Sequence, residues 1–165
     1  MRGFFIIAMT ALLAACGFSP MYAEPETSNV LFKTINYSES ASDGRTGFWL
    51  EESLRDRLTA ENAPDRRADL SVTTAERRVN LGVLSTDRAT RADLYLTVAY
   101  RFTAYDQSGA ALPLIQGTFT SVATYNIAAS PYAEITALAD ARRRAADDAA
   151  DRIARDIAFK TKSPK

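Results

Sequence analysis

From Arg91 to Tyr105 the sequence RADLYLTVAYRFTAY alternates without a slip. Leu94, Leu96, Val98, Tyr100, Phe102 and Ala104 fall on one side, and Tyr95, Thr97, Ala99, Arg101 and Thr103 on the other. Successive strand side chains point to opposite faces, so this run predicts a strand with one apolar face. A lone strand cannot bury such a face. The chain is therefore committed to a sheet with a second layer packed on it.

The flanking sequence supplies the rest of that sheet. Val30–Tyr37 (VLFKTINY) reads as a strand, with Leu31, Lys33, Ile35 and Tyr37 opposed to Val30, Phe32 and Thr34. Ala68–Val83 gives another, with Leu70, Val72 and Thr74 inward. Its far part, Glu76–Asn80 (ERRVN), is so polar that it is expected to project beyond the core. Ser85-Thr86-Asp87-Arg88 reads as a hairpin tip. Asp106-Gln107-Ser108-Gly109 is a turn with glycine at φ > 0, and Leu112–Tyr125 returns from it as a strand.

Two segments change to helical period. In Thr46–Glu61, Leu50, Leu54 and Leu58 recur every four residues, with Thr46 as expected N-cap. Tyr132 to about Phe159 is an Ala-rich helix whose stripe includes Ile135, Leu138, Ala145, Ala149, Ile153 and Ile157. Asp147, Asp148 and Asp151 are assigned to its outer face. The order β-α-β-β-β-α predicts an α+β fold: a two-layer sandwich of one four-stranded mixed sheet and two helices.

The amino terminus reads differently. Arg2 precedes an apolar run, Phe4–Leu13, about half the ~20 residues that a membrane-spanning helix needs. Residues 1–15 are thus expected to be a signal peptide. Leu13-Ala14-Ala15-Cys16 resembles the bacterial lipobox, which implies cleavage between Ala15 and Cys16 and acylation of Cys16. Residues 16–28 then form a lipidated tether, 29–160 a single α/β domain and 161–165 a tail. Gly17, in place of Asp, resembles an outer-membrane sorting address.

Composition narrows the chemistry. Without histidine, His-based metal sites and His-dependent triads are excluded, and one cysteine allows neither an internal disulfide nor a Cys-cluster zinc site. A formal net charge of +0 argues against a polybasic nucleic-acid binder. Glu51–Glu52 and Asp147–Asp148 are adjacent pairs that diverge on a helix. No glycine-rich phosphate loop is present. The chain is read as a non-enzyme with no metal and no cofactor.

Cys16-Gly17-Phe18-Ser19-Pro20-Met21-Tyr22 resembles the C-G-F-x-P-L-Y start of the LPS-assembly lipoprotein family LptE, in its alphaproteobacterial form, with Met21 where Leu is usual. The later order is similar too: a hairpin leading into Arg91, Tyr105 to Gly109, SVATYN at Ser121–Asn126, and Ser130-Pro131-Tyr132-Ala133 opening the last helix. The resemblance implies a two-layer α/β sandwich anchored on the periplasmic side of the outer membrane. It implies partnership with an LptD-type β-barrel, in whose lumen the family sits, and help in delivering lipopolysaccharide to the outer leaflet. A lipoprotein binding a lipid or cell-wall ligand without a barrel is the alternative.

Within that frame Arg77, Arg78, Arg88 and Arg91 gather around one hairpin, suited to phosphate oxygens, or else to a solvated loop neutralised by Glu76, Asp87 and Asp93. Phe48 and Trp49 fall off the leucine stripe, as partner anchors or as core filling. Arg142 lies in the apolar stripe of the last helix, where snorkelling is expected. Tyr95 and Tyr125 are assigned to the second face of the sheet.

Overall fold

The computed structural model describes residues 31–40, 44–83, 89–127 and 130–162. Strands β1 (Thr34–Ser40), β2 (Arg67–Val83), β3 (Ala89–Ala104) and β4 (Ile115–Asn126) form one sheet in the order β1-β2-β3-β4. Helix α1 (Gly44–Leu58) connects β1 to β2, which run parallel. The pairs β2–β3 and β3–β4 are antiparallel, and α2 (Pro131–Lys162) ends the chain. The architecture is the expected four-stranded mixed α+β sandwich.

The alternation in β3 does what it dictates. Leu94, Leu96, Val98, Tyr100 and Phe102 are all buried, and the register carries the same face into Leu70 and Val72 on β2 and Ala123 and Tyr125 on β4. Both helices cover this face. From α1 it receives Leu50, Leu54 and Leu58, each fully buried and each contributing about 1.5–3 kcal/mol by leaving water. From α2 it receives Ala141, Ala145, Ala149, Ile153 and Ile157. The small alanines let α2 lie close to both β4 and α1. No described element covers the opposite face.

Boundaries differ from expectation for local reasons. Phe32 and Ile35, predicted on opposite sides, both enter the core because the chain bends at Lys33 before β1 begins. The Phe32 ring meets Phe102 edge-on at 5.2 Å, and its backbone N–H donates to Leu58 O at 2.9 Å. Helix α1 starts two residues before Thr46, so Thr46 is no N-cap; its hydroxyl donates instead to Glu76 at 2.5 Å. The returning strand begins at Ile115, not Leu112, leaving Ala110–Leu114 as a loop. Helix α2 extends into the expected tail: Thr161 Oγ1 donates to Ile157 O at 2.7 Å. Ile135, expected on the apolar stripe of α2, is exposed.

Helix α2 runs antiparallel to β4 along the sheet edge. Arg144 donates to Thr124 O at 3.1 Å, Ser121 Oγ donates to Asp148 at 2.7 Å, and Lys160 donates to Gln116 O at 2.9 Å. The acids assigned to its outer face are therefore fasteners. Asp147 accepts from Ser53 of α1, and Asp151 accepts from Arg57 at 2.5 Å.

Candidate interaction surfaces

The uncovered sheet face is mostly polar, interrupted by the exposed Leu81 and Val122. At its β1 side, Asp69 accepts from Tyr105 OH at 2.5 Å and from Asn36 Nδ2 at 2.8 Å, while the Arg67 guanidinium lies 4.5 Å from the Tyr105 ring centre. The Tyr105 hydrogen bond, then that of Asn36 and the charge of Arg67, hold the Asp69 carboxyl below the usual range. The same bond raises the Tyr105 phenol. Further along, Arg77 stacks over Tyr95 at 4.4 Å, Thr97 pairs with Thr120 at 3.1 Å, and Thr124 donates to Asp93 at 2.6 Å.

The four hairpin arginines do not form one cluster. Arg77 and Arg91 belong to the open face, where Arg91 is exposed opposite Asn126. Arg78 belongs to the covered face. There it donates to Glu134 at 2.8 Å and lies 5.4 Å from the ring centre of Tyr125. Adjacent residues of a strand must part in this way. Arg88 falls outside the described residues, as do Ala15 and Cys16.

Within the polar segment expected to project, Glu76 and Arg78 are met by the helices, while Arg77 and Asn80 stay exposed. Glu76 holds the inward register after Thr74, and its carboxylate accepts from Thr46 and from Arg142 Nε at 3.1 Å. The side chains of Arg142 and Glu76 are only 26% and 14% exposed. The Arg142 head thus ends in an ion pair within the sandwich, not at the sheet edge. Sequence reasoning missed Glu76 because its partners are 30 and 66 residues away.

The aromatic candidates also divide. Phe48 is 62% exposed, whereas Trp49 packs against the core. Tyr95 is on the open face. Tyr125 is on the covered one, and burial raises its phenol above the ordinary value. Tyr132 and Ile135 add exposed apolar surface at the start of α2. Chemically these surfaces offer stacked cations, hydroxyls and apolar side chains. Among the described residues no three His, Cys, Asp or Glu side chains converge as a metal cage, and no helix is long and apolar enough to cross a membrane.

A family model described as LptE, lipopolysaccharide-assembly, matches residues 32–157. The chain belongs to the LptE family. The description places the family in lipopolysaccharide assembly. No curated protein gives a significant match. Among solved structures, a lipoprotein crystal structure from Caulobacter crescentus is similar at 29% identity and a TM-score of 0.55, covering 86% of this chain and 98% of that one. Rare lipoprotein B from Shewanella oneidensis shares the fold at 17% identity, TM-score 0.53, covering 78% and 96% of the two chains. So does lipoprotein B from Nitrosomonas europaea, at 18% identity and 0.53, covering 89% and 94%. The LptE match spans all four strands, α1 and α2 as far as Ile157, so the open face and Glu76 lie inside the family's domain.

Proposed function

We propose that this protein is an outer-membrane lipoprotein, held by acyl chains on Cys16 at the periplasmic side, that partners an LptD-type β-barrel. In this reading it assists assembly of the barrel and the insertion of lipopolysaccharide into the outer leaflet. The observation that carries the reading is the LptE match over residues 32–157. The geometry agrees with a binding role. One sheet face, mostly polar, has no described element over it, and Arg77 and Arg91 stand on that face. Phe48 is a candidate partner contact; Trp49 is committed to the core.

The test is capture from detergent-solubilised outer membranes with a tagged full chain, the captured proteins being identified by mass spectrometry. An LptD-type barrel recovered in stoichiometric amount is the expected result. Capture without any barrel would defeat the reading. Cys16→Ser is expected to abolish acylation and processing, read as retention of the uncleaved precursor.

A further inference from the structure

Ala110, Ala111, Leu112, Pro113 and Leu114 are five consecutive apolar residues, and every one is exposed. Leu112 is 40% and Leu114 46% exposed. A run of this kind on a soluble surface is a liability unless something covers it. Its backbone is also held. Asp106 N–H donates to Ala110 O at 3.0 Å, and Leu112 N–H donates to Ala104 O at 2.8 Å. The Asp106 carboxylate accepts from Ser108 N, Ser108 Oγ and Ala110 N at 2.8, 2.6 and 2.9 Å. The apolar side chains are therefore presented by a fixed turn.

Phe159, 67% exposed, stands at the same end of the molecule, because its neighbour Lys160 donates to Gln116 O, two residues beyond Leu114. The chain also enters the domain at this end. Phe32 packs on Phe102 near the close of β3, beside the Ala104 carbonyl that holds the loop. Two ion pairs lie here, Lys33 with Asp65 and Lys160 with Asp156, and the Asp106 carboxylate is held by Ser108 and Ala110.

We propose that the Ala110–Leu114 loop and Phe159 insert into the lipid surface to which the chain is tethered. The proposal rests on the anchoring of Cys16. From Cys16 to Phe32 the chain can span at most about 55 Å, and it joins the domain at the entry end, which is therefore the end nearest the anchor along the chain. Five consecutive exposed apolar residues beside an exposed Phe159 suit the acyl boundary of a bilayer better than a charged ligand. Tyr132 and Ile135, towards the opposite end of the sandwich, and Phe48, beside the middle of β2, then stand away from the lipid.

Trp49 is the sole tryptophan, which makes depth measurable. Two full-length variants carry a single probe each: Trp49→Phe with Phe159→Trp, and Trp49→Phe with Phe48→Trp. Both are reconstituted into phosphatidylethanolamine–phosphatidylglycerol vesicles with brominated acyl chains. Quenching at the Phe159→Trp probe is expected to exceed that at the Phe48→Trp probe by about twofold or more. Adding Leu112→Ser and Leu114→Ser is expected to bring it down to the Phe48→Trp level, with thermal melting unchanged because both leucines are exposed. Equal quenching of the two probes, or stronger quenching at the Phe48→Trp probe, overturns the proposal. Mass spectrometry of the same samples reads the anchor separately. An unacylated Cys16 would defeat the anchoring reading, and the uncleaved apolar segment Phe4–Leu13 would still hold the chain in the vesicles for the quenching comparison.

Discussion

Tyr100, in the last third of the inner strand β3, donates its hydroxyl to the carboxylate of Asp156 on α2 by passing Gly117 of the intervening strand. The ring also stacks on Phe119, with centres 6.2 Å apart. Asp156 in turn accepts from Lys160 at 2.6 Å. One glycine thus opens the route by which the C-terminal half of α2 is pinned to the centre of the sheet.

Gly117→Ala should obstruct that route. A Cβ there would lie 2.8 Å from Tyr100 Cε1 and 3.2 Å from an Asp156 oxygen. The ring or β4 must shift, at a cost of about 1–3 kcal/mol. Urea unfolding reads this directly, and an unchanged midpoint would mean that the ring relaxes freely.

Stability should decline on the alkaline side. Burial, then the Asp156 hydrogen bond and charge, push the Tyr100 phenol far above its ordinary value. The folded chain keeps that proton when the unfolded chain releases it, so stability is full below about pH 10 and falls as pH rises beyond it. Tyr100→Phe should flatten this slope between about pH 9 and pH 11, leaving only what Tyr105 and Tyr125 contribute. A slope identical to that of the unsubstituted chain would contradict the assignment.

Leu54→Asp places a carboxylate where the α1 stripe meets the sheet, at a residue 1% exposed. Loss of the buried side chain and an unpaired charge together should cost at least about 4 kcal/mol. Loss of cooperative thermal unfolding is the expected result, and wild-type melting would show that α1 does not pack there.

The Glu76–Arg142 pair should behave as a unit with Thr46. Arg142→Ala leaves a half-buried carboxylate short of a donor and should cost about 1–3 kcal/mol. Glu76→Gln should cost less. In a double-mutant cycle the two changes should fall short of additivity by about 0.5 kcal/mol or more. Strict additivity would mean that the two side chains do not interact in solution.

The arginines should separate by face. Arg77→Ala with Arg91→Ala should leave melting unchanged and weaken lipopolysaccharide binding, most clearly at low salt, where exposed charges are least screened. Arg78→Ala should instead lower stability, through its lost contacts with Glu134 and Tyr125. Isothermal titration at two salt concentrations, paired with melting curves, distinguishes these outcomes. Equal binding by all variants would remove Arg77 and Arg91 from the site.

Much of the fold was legible because apolar periods report burial directly. Leu94 to Ala104 marked β3, and Leu50, Leu54 and Leu58 marked α1. What failed were positions whose partner is distant in the chain. Glu76 and Arg78 looked solvated, since nothing nearby announces that α2 overhangs them. Asp147, Asp148 and Asp151 looked like an outer face because helical period cannot show that Ser53, Ser121 and Arg57 stand alongside. Of the candidate site, period two correctly placed Arg77 and Arg78 apart only when strand register was applied. Composition alone had grouped them. Trp49 and Phe48 could not be separated without knowing how α1 lies on the sheet.

The carbonyls that α2 occupies on β4 limit how this protein can associate with itself. Lys160 and Arg144 take up Gln116 O and Thr124 O, one near each end of the edge strand. A sheet grows from copy to copy only if both borders accept a neighbour. Here one border is stoppered by a helix and the other, β1, is seven residues long. Strand-to-strand pairing can therefore join two copies through β1 and then stops, which guards against open-ended fibre growth.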